Sequence, residues 1–347
     1  MWKNFLARLY LFCFRPKTHP QNSLDQKRIL VVSTTALGDS LWALASIESL
    51  RSSFPHAYLA LLTSPIGKEV FTNHPCLNQI YEIKRPIWKS FFSLRKKLYQ
   101  EKFDTILLFH ASDRLIFLLS ASLGAQELVG SEKINKGLDF IFTKLLHQTQ
   151  EHEIVRRLKM VEEIGGKRST ESLNLFWDFG KREKTKTIAI HPGSKDRFKR
   201  WKIEHFIKVA QFFTEKGFQV WVTGSQEEKE LIDQIIEKVP QAQSLGLDLK
   251  LQEFAKKLCQ VQLLICNDTG PFHLASALKI PALAIFGPTD PLLCGPHKAL
   301  TSYYLQASPS CTPCLKRKCP IPFCLWQIGP NMVIEKACDI LKSSSSF

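Results

Sequence analysis

Nowhere does this sequence stay apolar for the ~18–20 residues that a bilayer-spanning helix requires. The longest candidate, Leu115 to Ala125, is interrupted by Ser120, Ser122 and Gly124, which argues against an integral membrane protein. Two nucleotide fingerprints are also missing. No Gly-Lys-Ser/Thr closes a phosphate loop after the first strand, and no GxGxxG spacing follows it. Acidic residues are in short supply, 32 against 47 Lys and Arg, for a net charge of +15. Such a surplus favours polyanionic partners: nucleic acid, an anionic membrane or a phosphorylated substrate. None of the usual nucleic-acid recognition motifs is present, so nucleic acid is not expected as a partner. The apolar start lacks a small-x-small cleavage site before Arg15-Pro16, unlike a secretory leader. Six of the ten cysteines are scattered, as in a protein of the reducing cytoplasm.

What is present suits two domains. The chain has 347 residues, 44% of them hydrophobic, against a typical domain of ~150. Trp2, Phe5, Leu6, Leu9, Phe12 and Cys13 share one face of an amphipathic helix that also carries Lys3 and Arg8. That pattern fits a helix lying on an anionic leaflet, and equally a helix docked on the protein's own apolar surface. From Arg28, short β-branched runs alternate with helical patterns. The expected strands are Ile29–Ser33, Tyr58–Thr63, Gln79–Ile83 and Thr105–Phe109, then Thr187–His191, Gln219–Thr223, Leu263–Asn267 and Ala282–Phe286. Expected helices include Leu41–Ser52, Ile203–Lys216, Glu227–Lys238, Leu251–Leu258 and Phe272–Leu278. Steady strand–helix alternation predicts an α/β fold of parallel sheets covered on both faces. A charged stretch near residue 181 divides it into two halves, with a central cleft expected where the strands' carboxyl ends face one another.

The chemistry-bearing residues cluster at predicted strand ends. Asp268-Thr269-Gly270-Pro271-Phe272-His273 runs from a strand into a helix entered through Pro271. Free N–H groups in such a first turn form an anion site suited to a diphosphate. Thr269 could add a hydroxyl and His273 could face the same anion; equally, Asp268 or Thr269 could be a simple cap and His273 a core residue. His191-Pro192-Gly193-Ser194 ends another strand and precedes Lys195, Arg197, Lys199 and Arg200. Lys199 would act there as a point charge on a pyrophosphate, or stand in a solvated basic loop. After Trp221-Val222-Thr223, Glu227 and Glu228 compete as acceptors of ribose hydroxyls, or form a negative first helical turn. In the first half, Asp39 follows Gly38 at a strand end, where it could accept a proton from a substrate hydroxyl or cap a helix.

Two further clusters stand apart. Lys84, Arg85, Lys89, Arg95, Lys96, Lys97 and Lys102 are interleaved with Trp88, Phe91, Phe92 and Tyr99. Lys89, Arg95 and Lys96 are the candidates there for acceptor or membrane contact; the alternative is a solvated helix face with a buried aromatic side. Cys311, Cys314, Cys319 and Cys324 are spaced closely enough for a structural zinc site, or are free or redox-paired thiols, or ligate an iron–sulfur cluster.

Taken together and in this order, Ser33-Thr34-Thr35-Ala36-Leu37-Gly38-Asp39, His191-Pro192-Gly193-Ser194, Lys199-Arg200-Trp201, Asp268-Thr269-Gly270-Pro271-Phe272-His273-Leu274-Ala275-Ser276-Ala277-Leu278 and Phe286-Gly287-Pro288-Thr289-Asp290-Pro291 resemble glycosyltransferase family 9, the ADP-heptose:lipopolysaccharide heptosyltransferases. The resemblance covers roughly residues 28–340. It implies a GT-B architecture of two Rossmann-like domains: an amino-terminal segment and linker (1–24), an acceptor domain (25–180) and a donor domain (181–342) that includes the Cys-rich stretch 311–324. It implies an inverting transfer of heptose from ADP-heptose to an anionic lipid-linked oligosaccharide, the inner core of lipopolysaccharide. The expected location is cytoplasmic, peripheral to the inner membrane, with no cofactor required for catalysis. By the same resemblance Asp39 matches the general base, Thr269 and Gly270 the diphosphate-binding turn, and Lys199 the basic phosphate contact. Ser194 matches a phosphate-side hydroxyl, Glu227 or Glu228 the ribose-binding acid, and Leu249 the adenine-contacting stretch. Transfer of another nucleotide sugar, epimerisation, and a non-catalytic ADP-sugar-binding protein are the rival expectations.

Overall fold

Short runs of Val, Ile, Leu and Thr bounded by turn residues form strands buried on both faces, as parallel sheets require. In the computed structural model, which describes residues 2–13, 27–111, 113–147, 149–180, 185–298, 301–307, 311, 312, 314, 319 and 322–344, the chain divides into two units, Met1–Phe176 and Trp177–Phe347. The first contains β1 (Arg28–Ser33), β2 (Tyr58–Thr63), β3 (Gln79–Glu82), β4 (Thr105–His110), β5 (Glu127–Ser131) and β6 (Lys144–Leu146). The second contains β7 (Thr187–His191), β8 (Gln219–Val222), β9 (Gln243–Ser244), β10 (Leu263–Asn267), β11 (Ala282–Phe286) and β12 (Ser302–Gln306). All eight expected strands form. The four that sequence patterning misses (β5, β6, β9 and β12) lie toward the sheet margins, where a strand needs little hydrophobic signal.

The sheet orders are β3-β2-β1-β4-β5-β6 and β12-β11-β10-β7-β8-β9, and every pairing is parallel. Numbered within its own unit, each sheet reads 3-2-1-4-5-6, the Rossmann order. Strand order reverses between β1 and β4 in one unit and between β7 and β10 in the other. Ligands of open α/β sheets bind at the carboxyl ends of the strands flanking such a reversal. Each unit therefore carries one place where topology favours a site.

A β-bulge marks the first of these. The pairing of β1 with β4 jumps from Val32↔Leu108 to Ser33↔His110, so Phe109 is an extra residue and points into the core with no exposure. Bulges re-aim the side chains beside them, and here the residue re-aimed is His110. The expected helix Leu41–Ser52 is in fact two, Leu37–Trp42 and Leu44–Ser53, meeting at Ala43.

Among the described residues no helix is long and apolar enough to cross a membrane. The amino-terminal helix Trp2–Cys13 rests on the first unit: Ala7 is buried, Tyr10 meets Phe91 edge-on at 5.8 Å, and the Arg8 guanidinium lies 4.7 Å over Phe140. Leu6 and Leu9 remain exposed. Phe91 belongs to the helix Ile87–Gln100, which buries Phe91 but leaves Trp88 and Phe92 each 64% exposed. The aromatic side of that basic helix is thus only partly covered.

Candidate active site

In the first unit the chain leaves β1 through Ser33-Thr34-Thr35 and enters the helix Leu37–Trp42 with Asp39 in its first turn. The N-cap is Ala36, with no side-chain capping bond, so Asp39 is not a cap. Its carboxylate faces side chains instead. Thr35 Oγ1 donates to Asp39 Oδ2 at 2.6 Å, and Arg157 Nη2 donates to Oδ1 at 3.0 Å. Arg157 comes from the helix Glu153–Glu163; its side chain is fully buried, 5.3 Å from the Trp42 ring and 3.6 Å from Glu153. Burial pushes the Asp39 carboxyl up, but His110 and Arg157, with hydrogen bonds from Thr35 and Arg157, outweigh it and hold the group below the usual carboxylate range. His110 Nδ1 lies 3.2 Å from Thr35 Oγ1. The Asp39 side chain retains 18% exposure, so an ionised carboxylate sits at a sheet-order reversal within reach of a ligand.

The second unit builds an anion-directed counterpart. Asn267 ends β10 and clamps the end of β7: its amide nitrogen donates to Pro192 O at 2.8 Å and Gly193 O at 3.1 Å, and its oxygen accepts from Trp201 N at 2.9 Å. A Cβ at Gly193 would stand 2.0 Å from Glu228 Oε1, so a larger residue there must displace that carboxylate. Beyond Asn267, Asp268 is 4% exposed and accepts at Oδ2 from Lys199 Nζ at 2.7 Å and from Thr289 Oγ1 at 2.6 Å. His273 Nε2 lies 3.9 Å from Asp268 Oδ1. Thr269 occupies the N-cap position of the helix Gly270–Ala277 without a side-chain capping bond, and Pro271 is in its first turn. The hydroxyl of Thr269 and the first-turn N–H groups are therefore uncommitted to one another, and the helix dipole favours an anion beside them.

The sequence-expected residues divide by environment. Asp268, Thr269, Gly270, Pro271, His273 and Lys199 come together, with Lys199 positioned by Asp268 rather than standing in a solvated loop. Ser194 is buried, and its carbonyl accepts from Arg200 Nε at 2.8 Å. Of the two competing acids, Glu228 is buried and committed: Ser225 N and Oγ donate to its Oε2 at 2.9 and 3.1 Å, and Arg200 and His191 lie 3.8 and 3.7 Å away. Glu227 is exposed. Leu249 is half-buried just before the helix Leu251–Leu258. In the basic helix Lys89 and Lys96 are exposed, whereas Arg95 ties the helix to Ser122 through its hydroxyl at 3.0 Å and its carbonyl at 3.2 Å.

The zinc expectation is not met. Among the described residues no group of three or more His, Cys, Asp or Glu side chains is placed to hold a metal ion. Cys311, Cys314, Cys319 and Cys324 are free thiols that differ in depth, from the exposed Cys311 to the buried Cys324. Burial pushes the Cys324 thiol up, and the charges of Cys314, Cys311 and Cys319 push it further.

Two residues of the Asp39 cluster escape sequence reading, Arg157 and His110. The signal for Arg157 is faint: Glu153 sits three and four places before Arg156 and Arg157, helical ion-pair spacing on an amphipathic helix. His110 ends a strand whose interior, Ile106 to Phe109, is apolar.

The family model for glycosyltransferase family 9 (heptosyltransferase) matches residues 91–324. Lipooligosaccharide heptosyltransferase 2 of Campylobacter jejuni is 26% identical over 331 residues, 91% of this chain and 99% of that protein. A family 9 glycosyltransferase structure from Veillonella parvula superposes with a TM-score of 0.76 at 20% identity, covering 93% of this chain and all of that one. The structure of Escherichia coli ADP-heptose LPS heptosyltransferase II gives 0.73 at 16% identity, covering 92% and 99%. The paired Rossmann sheets are accordingly the GT-B fold of these enzymes. With two thirds of its length matched by the family model, Asp39 at the strand ends of the first unit, and Lys199 with the Asp268–His273 turn at those of the second, the chain belongs to glycosyltransferase family 9, the heptosyltransferases.

Proposed function

We propose that this enzyme moves heptose from ADP-heptose to the inner core of lipopolysaccharide, with inversion, the first unit binding the acceptor and the second the donor. The observation that carries this reading is a division of chemistry between equivalent places in two sheets. One strand-order reversal holds an ionised carboxylate, and the other holds Lys199 and a helix start directed at an anion. In the reaction, the acceptor oxygen attacks the anomeric carbon from the face opposite the diphosphate, and the bond from that carbon to the phosphate oxygen breaks. Negative charge builds on ADP, where Lys199, the Thr269 hydroxyl and the helix start at Gly270 stabilise it. Asp39 supplies the negative charge that drives removal of the acceptor proton. Glu227, exposed where Glu228 is not, takes the ribose hydroxyls, Ser194 supports the phosphate side, and Leu249 flanks the adenine.

The acceptor is amphiphilic and anionic. Leu6, Leu9, Trp88 and Phe92 expose apolar surface on two helices joined by the Tyr10–Phe91 contact, and Lys89 and Lys96 add positive charge. This surface is suited to the cytoplasmic face of an anionic membrane. Sedimentation with anionic vesicles should recover the protein, and Trp88→Ser/Phe92→Ser should release it; equal recovery with neutral vesicles contradicts the assignment. For the activity itself, incubation with ADP-heptose and truncated lipopolysaccharide acceptors, read by mass spectrometry, should add one heptose. Addition from another nucleotide sugar, with none from ADP-heptose, overturns the donor.

A further inference from the structure

A proton count at Asp39 assigns a role to His110. A threonine hydroxyl has one hydrogen, and an ionised carboxylate only accepts. Thr35 directs its hydrogen to Asp39 Oδ2, so the 3.2 Å contact between Thr35 Oγ1 and His110 Nδ1 must be donated by the imidazole. A neutral His110 is therefore the Nδ1–H tautomer, and its proton-accepting lone pair is on Nε2. The bulge at Phe109 places this ring at the strand-order reversal beside Asp39, and His110 is only partly buried. Meanwhile both oxygens of Asp39 already accept, one from Thr35 and one from Arg157.

We propose that His110 Nε2 is the atom that receives the acceptor hydroxyl's proton, and that Asp39 acts on it through Thr35, a positioning residue that fixes the tautomer and transmits the negative charge. The acceptor O–H bond breaks as its oxygen bonds to the anomeric carbon. The proton goes to Nε2, and the electron pair of the sugar–phosphate bond leaves on ADP. The resulting imidazolium donates from Nδ1 to Thr35, whose hydroxyl donates to Asp39, so opposite charges face each other along one chain of hydrogen bonds. Release of the Nε2 proton to solvent, which the partly exposed His110 can reach, restores the Nδ1–H tautomer and the ionised Asp39 and resets the site. This rests on the transferase reading above and refines how its base works.

The charges facing the ring are consistent with a neutral resting state. Asp39 on the helix Leu37–Trp42 and Glu153 on the helix Glu153–Glu163 favour the imidazolium; Arg157 and Arg156 on that second helix oppose it, as does burial. Burial dominates, and with these charges it leaves His110 below its ordinary value of 6.5.

The test is transfer kinetics from ADP-heptose against pH for His110→Gln, His110→Asn, Thr35→Val and Thr35→Ser, with ADP binding confirming an intact fold. Wild-type kcat should fall on an acid limb below pH 6.5. Both His110 variants should lose ~100-fold or more in kcat, keep donor KM within ~3-fold and lack that limb. Thr35→Val should lose ~10-fold, and Thr35→Ser should restore the rate. Rates within ~3-fold of wild type for both His110 variants, with the acid limb unmoved while Asp39→Asn is inactive, overturn the role of His110 and leave Asp39 as a direct base. Full activity of Asp39→Asn instead overturns the reading on which the relay rests, and the relay with it.

Discussion

Replacing Arg157 by Met removes the guanidinium that touches Asp39 Oδ1 at 3.0 Å and leaves the carboxylate among buried neighbours. Breaking a buried ion pair from one side costs about 3–5 kcal/mol, because the surviving charge is uncompensated. Asp39 keeps 18% exposure and its Thr35 hydrogen bond, so the lower end, about 3 kcal/mol, is expected. Asp39→Asn alone strands a fully buried guanidinium that has Glu153 as a partner only at 3.6 Å, with a comparable cost. The double variant Asp39→Asn/Arg157→Met carries neither stranded charge. Its loss should fall short of the summed single losses by about 2–3 kcal/mol, the upper range for residues in direct contact. Urea denaturation of the four proteins at matched slope reads this directly. The pH dependence adds a sign. Asp39 is lowered in the folded protein, so its stabilisation is present above its unfolded value, near 3.8, and fades as pH falls through the lower folded value. In Arg157→Met burial is opposed by less positive charge, so the folded value rises toward the unfolded one and the pH-dependent stabilisation from Asp39 shrinks. Additive single losses, within about 0.5 kcal/mol, would refute the reasoning.

Other consequences follow from the second unit. Lys199→Met removes a charged donor near the expected diphosphate and leaves Asp268 buried with Thr289; at ~1.5–3 kcal/mol for a charge-assisted hydrogen bond, ADP affinity by calorimetry should fall roughly 10- to 100-fold. Gly193→Ala drives a methyl to 2.0 Å from Glu228 Oε1, which should cost about 1–3 kcal/mol in thermal or urea unfolding. Shortening the obstacle with Glu228→Ser in the same chain should recover part of that loss, and no recovery contradicts the steric account.

The strands were legible because both faces of each are buried, so apolar runs announce them. The strand-end motifs were legible because Pro271 opens a helix and His191-Pro192-Gly193 and Asn267-Asp268 stand where apolar strands give way to turns. Contacts across long sequence separations were not. Arg157 lies 118 positions from Asp39, and His110 lies 75 from Thr35; neither partner is implied by its neighbours in sequence. The rivalry between Glu227 and Glu228 was resolvable in principle. Ser225-x-x-Glu228 is a capping box, and the structure shows its reciprocal bonds, which commit Glu228 and leave Glu227 outward. For the Cys-rich stretch the spacing left metal and free thiols open, and the described residues hold no group of three or more ligating side chains placed around one ion.

The proposed mechanism gives the chemistry to a carboxylate of one unit and the nucleotide to the other. It is tested most directly by measuring ADP affinity and heptose transfer on Asp39→Asn side by side. ADP should bind as in wild type while transfer falls ~100-fold or more. Transfer at the wild-type rate, or loss of ADP binding in a folded variant, would contradict it.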